Sequence, residues 1–262
     1  MTAQGIVPAT VLTCGTLYPN IACYTFVTNA AGWTKLPNLS AYYHPYFVAF
    51  RWLNRVYVID DLHPESLDLS VSPYAWSSDP TVNVPRLYGN YTNGGGCVVV
   101  LNGVLYMFGG KASMAIKTIQ LTNPNANWAW NFVSNLPANT GVLCCAPIPN
   151  NKGLVMISLD QSSVTQVVIY DIASNTVKST ASTADLYGAD LVEACHDRSL
   201  YAIVLGQSVQ SYPATNESGT NSNWQAVTTG STPINYRYFA TSLVVPRSVV
   251  GSNYLPAGCQ GC

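Results

Sequence analysis

The sequence predicts an all-β chain: a single β-propeller of about five four-stranded blades over residues 1–262, with a short cysteine-bearing tail at 252–262. Three observations carry this reading. Apolar runs with the shape of a hairpin recur about every 50 residues. Each of the first four is followed by a third strand and a fourth, the fourth often marked by tryptophan. No stretch shows the 3.6-residue apolar period of an amphipathic helix.

The hairpins define the repeat. The first occupies 47–60 and ends on Asp60. The second occupies 97–110, turns at Asn102-Gly103 and ends on Gly109-Gly110. The third and fourth run from Leu143 to Asp160 and from Leu191 to Gly206, and the last covers 238–251. Asn-Gly between apolar runs is the strongest turn signal of the set, because a type I′ turn needs positive φ at both central positions. Trp33, Trp76, Trp130 and Trp224 mark fourth strands, while 169–177 supplies a strand, turn and strand in the copy that lacks the mark.

The chain ends predict closure. The hairpin at 238–251 has no third or fourth strand after it, and 21–28 with 33–37 near the N-terminus supplies both. Such pairing removes exposed sheet edges. Residues 10–17 read as an extra strand, which leaves six blades as the alternative count.

This pattern resembles the kelch repeat, with a period of about 50 residues and four strands per blade. Residues 101–110, followed by Trp130 and Leu136-Pro137, are the nearest match. The double glycine stands only at Gly109-Gly110; elsewhere its place is taken by Asp60-Asp61, Asp160-Gln161 and Gly206-Gln207. In a blade of this type, the loops entering strand 1 share a face with those joining strands 2 and 3. The resemblance therefore gathers Tyr42, Tyr43, His44, Tyr46, Tyr88, Tyr91, Tyr187, Tyr236 and Tyr238 on one face, with Asp60, Asp61, His63, Glu65 and Asp160. Tyrosine combines large contact area with a hydroxyl, which suits recognition of proteins and sugars. The competing reading is that these rings pack between blades and seal the mouth of the propeller.

Composition narrows the setting. Charged residues are 9% of the chain against 48% hydrophobic, with a formal net charge of −1. Scattered basic residues exclude a phosphate-binding surface, so nucleic acid is not an expected partner. No apolar run reaches the length of a membrane span. The opening residues lack the basic and apolar regions of a secretory leader, so the numbering describes a mature or trimmed chain if the protein is exported. Eight cysteines, Cys14, Cys23, Cys97, Cys144, Cys145, Cys195, Cys259 and Cys262, point to disulfides, as do sequons at Asn38, Asn90 and Asn216 to glycosylation. Both indicate an extracellular or secreted protein.

Cys97 and Cys145 each stand five residues before a turn asparagine, Asn102 and Asn150, so they hold equivalent places on adjacent inner strands. A disulfide between blades and two buried thiols are both open. For Cys259 and Cys262 the expected partners are Cys14 or Cys23 near the closing blade, or a neighbouring molecule.

The functional expectation is a non-catalytic extracellular structural or protein-interaction module that also self-associates. Protein partners, further copies of the chain and glycans are its candidate ligands, and no cofactor is implied. A lectin-like sugar binder is the second reading. The third is a secreted propeller enzyme: a copper oxidase, which would need more metal ligands than His44, His63 and a tyrosine, or a glycosidase with paired carboxylates.

Overall fold

The structure is a computed structural model. It describes residues 10–17, 20–27, 33–39, 47–59, 64–78, 96–109, 115–121, 128–136, 140–148, 152–159, 164–184, 189–194, 199–204, 208–213, 225–231 and 240–245. Among the described residues every regular element is a strand, and all strand pairing is antiparallel.

The N-terminal strands are β1 (Thr10–Leu17), β2 (Asn20–Val27) and β3 (Thr34–Lys35). Next come β4 (Val48–Trp52), β5 (Arg55–Ile59), β6 (Glu65–Asp68) and β7 (Trp76–Ser78), paired in sequence order. Three more sheets repeat that order: β8 (Gly96–Leu101), β9 (Val104–Gly109), β10 (Ala115–Gln120) and β11 (Asn131–Asn135); β12 (Thr140–Ile148), β13 (Lys152–Leu159), β14 (Val164–Asp171) and β15 (Thr176–Ala184); and β16 (Ala189–Ala194), β17 (Ser199–Val204), β18 (Ser208–Pro213) and β19 (Gln225–Ser231). The last strand, β20 (Ala240–Val245), joins the N-terminal strands in the order β20-β1-β2-β3.

That sheet corrects one expectation. Residues 10–17 are not an extra strand. β1 pairs with β20 through Thr10 opposite Val245 and Gly15 opposite Ala240, and with β2 through Leu17 opposite Asn20. It therefore holds the second position, the one expected for the latter half of the run at 238–251. The two ladders explain the difference: pairing with β2 on one edge and β20 on the other satisfies the backbone groups of β1 on both sides.

The apolar runs of the β4–β7 and β8–β11 sheets are nearly continuous because both faces of these two sheets are covered. Successive side chains on a strand point to opposite faces. Val56 and Val58 of β5 pack with Leu12, Cys14, Cys23 and Leu36, whereas Tyr57 and Ile59 between and beyond them pack with Leu105, Met107, Ile119 and Trp128. The next sheet divides in the same way. Leu105 and Met107 face back toward Phe50, and Tyr106 and Phe108 face forward to Cys145 and Tyr170. Burying one such side chain contributes roughly 1.5–3 kcal/mol. Among the described residues the core is thus laid down between sheets, one layer at each of these three interfaces.

The first strands form the shared inner contact. β4 lies against β8, β8 against β12, β12 against β16, β16 against β20, and β20 against β4. The turn between β8 and β9 has Asn102 at φ 51° and Gly103 at φ 74°, the backbone the Asn-Gly pair predicts.

Candidate functional site

The strand registers show from which ends of the sheets the segments with the predicted site residues leave. In four sheets the first strand starts beside the end of the second: Val48 is opposite Ile59, Gly96 opposite Gly109, Thr140 opposite Leu159, and Ala189 opposite Val204. In the sheet built from both chain ends, β20 starts at Ala240 opposite Gly15, close to the end of β1. The segments with the predicted site residues run directly from these five places. Tyr42, Tyr43 and Tyr46 precede β4, and Asp60, Asp61 and His63 follow β5. Tyr88 and Tyr91 precede β8, Asp160 follows β13, Tyr187 precedes β16, and Tyr236 and Tyr238 precede β20. These side chains lie outside the described residues. What the structure describes is the scaffold from which they leave.

Glu65 is a correction. It is the first residue of β6, opposite Val58 and Ser78, and it is buried rather than presented from a loop. Three described tyrosines take a packing role. Tyr57, Tyr106 and Tyr170 are buried between sheets, and burial pushes the Tyr106 and Tyr170 phenols above their ordinary range.

Among the described residues two disulfides are present. Cys97 on β8 bonds Cys145 on β12, joining the first strands of neighbouring sheets. The equivalent strand positions read from the turn asparagines are therefore bridged. Cys14 bonds Cys23, its direct partner across β1 and β2, with Cα atoms 4.1 Å apart. This corrects the expectation that a tail cysteine takes one of them, since adjacent pairing leaves neither thiol available. Cys144 lies in β12 opposite Met156, and Cys195, Cys259 and Cys262 lie outside the described residues. Of the three sequon asparagines, Asn38 is described and exposed; Asn90 and Asn216 lie outside.

The described polar cluster stands at the other end of the β4–β7 sheet. Arg55 donates to Asp68 Oδ2 at 3.2 Å and to Ser66 Oγ at 3.0 Å. Asp68 Oδ1 accepts from the Ser70 hydroxyl and from the Ser70 N–H at 2.9 Å. Those two bonds, with Arg55 as a smaller influence, hold the Asp68 carboxyl below its usual range. Asp171 likewise accepts from the N–H groups of Ala173 and Ser174 at 3.0 and 3.2 Å. Both aspartates end a third strand and shape the turn to the fourth. The turn after Asp171 falls within the strand, turn and strand expected over 169–177, whereas the turn after Asp68 was not expected, although Asp followed two residues later by Ser is a turn signal. Arg51 on β4 donates from Nε to the Leu53 carbonyl at 3.1 Å, and burial lowers its pKa.

Among the described residues no group of three or more His, Cys, Asp or Glu is placed to hold a metal ion. His44, His63 and His196 lie outside them. Among the described residues no helix is long and apolar enough to cross a membrane.

No protein-family model and no curated protein matches this chain. Solved structures do. The crystal structure of a nidogen/laminin complex aligns with 90% of this chain and 98% of its own at 6% identity, with a TM-score of 0.50. With the all-β sheets described above, that likeness assigns the architecture. The fold is a β-propeller. The structure of YjhT covers 76% of this propeller and 69% of its own chain, at 14% identity and a TM-score of 0.45. A fungal alcohol oxidase in complex with copper covers 75%, at 11% identity and a TM-score of 0.44, and this propeller spans 57% of the oxidase chain. At such identities the likeness concerns fold alone.

Proposed function

We propose that this chain is a closed propeller of five kelch-like blades that works outside the cell as a non-catalytic protein-interaction module and associates with copies of itself. β20 and β1–β3 together make the closing blade in this reading. Its contact surface is the end from which the tyrosine-bearing segments leave.

The observation that carries the reading is the recurrence of tyrosine at the strand-pair ends. Four of the five places have tyrosine in the segment entering the first strand: Tyr42, Tyr43 and Tyr46, then Tyr88 and Tyr91, then Tyr187, then Tyr236 and Tyr238. Rings with a hydroxyl, set around one end of a rigid scaffold, give contact area at little entropic loss. A charge-poor chain of formal net charge −1 also offers little long-range repulsion between copies.

The extracellular part rests on the two disulfides, which persist in oxidising compartments and are rare in reducing ones. The non-catalytic part rests on sequence chemistry. Three histidines in the whole chain, His44, His63 and His196, are a thin set for a metal oxidase.

Sedimentation velocity over a wide concentration range tests the reading. The wild type is expected to shift to larger species as concentration rises. A variant with Tyr88, Tyr187 and Tyr236 replaced by Ser is expected to stay monomeric with unchanged folding. A wild type that remains monomeric throughout rejects self-association; equal assembly by the variant moves the contact away from the tyrosine end.

A further inference from the structure

We infer that Asn38 carries an N-linked glycan that stands over the seam between the β20-β1-β2-β3 sheet and the β4–β7 sheet, and that it keeps partners off that sector of the tyrosine-bearing end. The inference rests on the extracellular reading above and adds a modification to the same end of the molecule.

The segment 36–39 is held from both sides. Leu36 donates its N–H to the Cys23 carbonyl at 2.9 Å, which fixes it to β2. Trp76 of β7 donates its indole N–H to the Pro37 carbonyl at 3.1 Å, which fixes the next residue to the neighbouring sheet. Leu36 and Leu39 are 6% and 5% exposed, and they share one core cluster with Cys14 and Cys23 on one side and Ala49, Val56 and Leu67 on the other. Asn38 sits between these anchors and is itself exposed. A group attached to it therefore leaves from the seam in a fixed direction rather than from a loose loop. The segment also leads toward 40–46, so the group stands beside Tyr42, Tyr43 and Tyr46 in the chain.

The sequence supplies the acceptor chemistry. Asn38-Leu39-Ser40 is an N-glycosylation tripeptide with no proline at its centre. Transfer from a lipid diphosphate-linked oligosaccharide forms the bond between sugar C1 and Asn38 Nδ2; the lipid diphosphate departs and the amide proton is released. Because Leu39 is buried in the folded chain, the tripeptide is open to a transferase before 36–39 docks. Attachment thus accompanies synthesis in the secretory route. A bulky hydrated chain at the seam then leaves the sectors near Tyr88, Tyr187 and Tyr236 for partner contact.

Peptide mass mapping of the protein isolated from its source, with and without peptide N-glycosidase, tests this. The peptide containing Asn38 is expected to carry hexosamine-based mass. After enzyme treatment it is expected to lose that mass and to hold an aspartate where the glycosylated asparagine stood. Removal of the glycan from the native protein is expected to expose the segment around Tyr42 and Tyr43 to limited chymotryptic cleavage. An unmodified Asn38 in a protein whose Cys14–Cys23 and Cys97–Cys145 bonds are intact overturns the inference and leaves the extracellular reading standing. An unmodified Asn38 with all four cysteines reduced overturns both. A glycan whose removal leaves cleavage unchanged overturns the shielding.

Discussion

Cys97 and Cys145 are 48 residues apart in the chain and covalently joined between β8 and β12, the first strands of adjacent sheets. The bond closes a loop that contains nearly all of one sheet, so it restrains the unfolded chain and pins one interface at its inner edge. Replacing both with Ser is expected to lower stability by roughly 2–4 kcal/mol. Urea denaturation of the double variant under oxidising conditions checks this. An unchanged midpoint means that packing alone holds the interface.

The aromatic layer between the preceding pair of sheets, β4–β7 and β8–β11, has a different basis. Trp128 is 4% exposed, with its ring centroid 5.8 Å from Trp52, 6.2 Å from Tyr57 and 6.4 Å from Phe50. Trp128→Ala is expected to destabilise by about 3–5 kcal/mol. Trp130→Ala, at a half-buried position, is expected to lose clearly less. Denaturant midpoints for the two variants decide it, and equal losses would mean that the layer does not depend on Trp128.

That pair of tryptophans also shows what the sequence makes legible. The apolar runs announce strands such as β4, β5, β8 and β9 because apolar side chains on both faces of these strands are packed. Asn102-Gly103 announces its turn through backbone chemistry that only a few residues meet. Trp128 and Trp130 lie on the same parity, so local pattern cannot rank them. The choice is made by Phe50 and Tyr57, about seventy residues away, through inter-sheet packing. The position of β1 is hidden for a similar reason: a strand paired with the far end of the chain carries no local mark of that partner. The tyrosine end is legible only as a place, since its rings are carried by segments outside the described residues.

Leu53 is the described turn residue whose type disagrees with its backbone. It has φ 54° and is 69% exposed, whereas Asn102 and Asn175 hold the same φ region in other turns. A branched side chain in this region is strained by roughly 1–2 kcal/mol, and asparagine tolerates it better. Leu53→Asn is expected to raise stability by about 1 kcal/mol, read as a higher thermal midpoint. A lower midpoint would mean that the leucine makes a contact worth more than its strain.

Tyr170 gives the fold a sensitivity to alkali. Its hydroxyl donates to Asn175 Oδ1 at 2.8 Å across the β14–β15 turn, and its ring meets Phe108 edge-on at 5.6 Å. Burial raises its pKa first, and the nearby Tyr106 and Asp171 add to the shift. The folded state therefore binds this proton more tightly than the unfolded state does. Its contribution is complete below the ordinary phenol value near about 10 and disappears as pH climbs through the raised folded value. Tyr170→Phe keeps the ring and removes the proton. At neutral pH the variant is expected to be less stable by about 1 kcal/mol, the usual worth of one hydrogen bond. Above the ordinary phenol value the gap is expected to narrow, because the wild type must bury an ionising group at this position and the variant does not. Tyr106 is raised in the same way, so the variant retains part of the alkaline loss. Urea midpoints for both proteins from neutral to strongly alkaline pH measure the gap directly. A gap that stays constant over that range would mean that Tyr170 ionises as freely in the folded protein as in the unfolded chain.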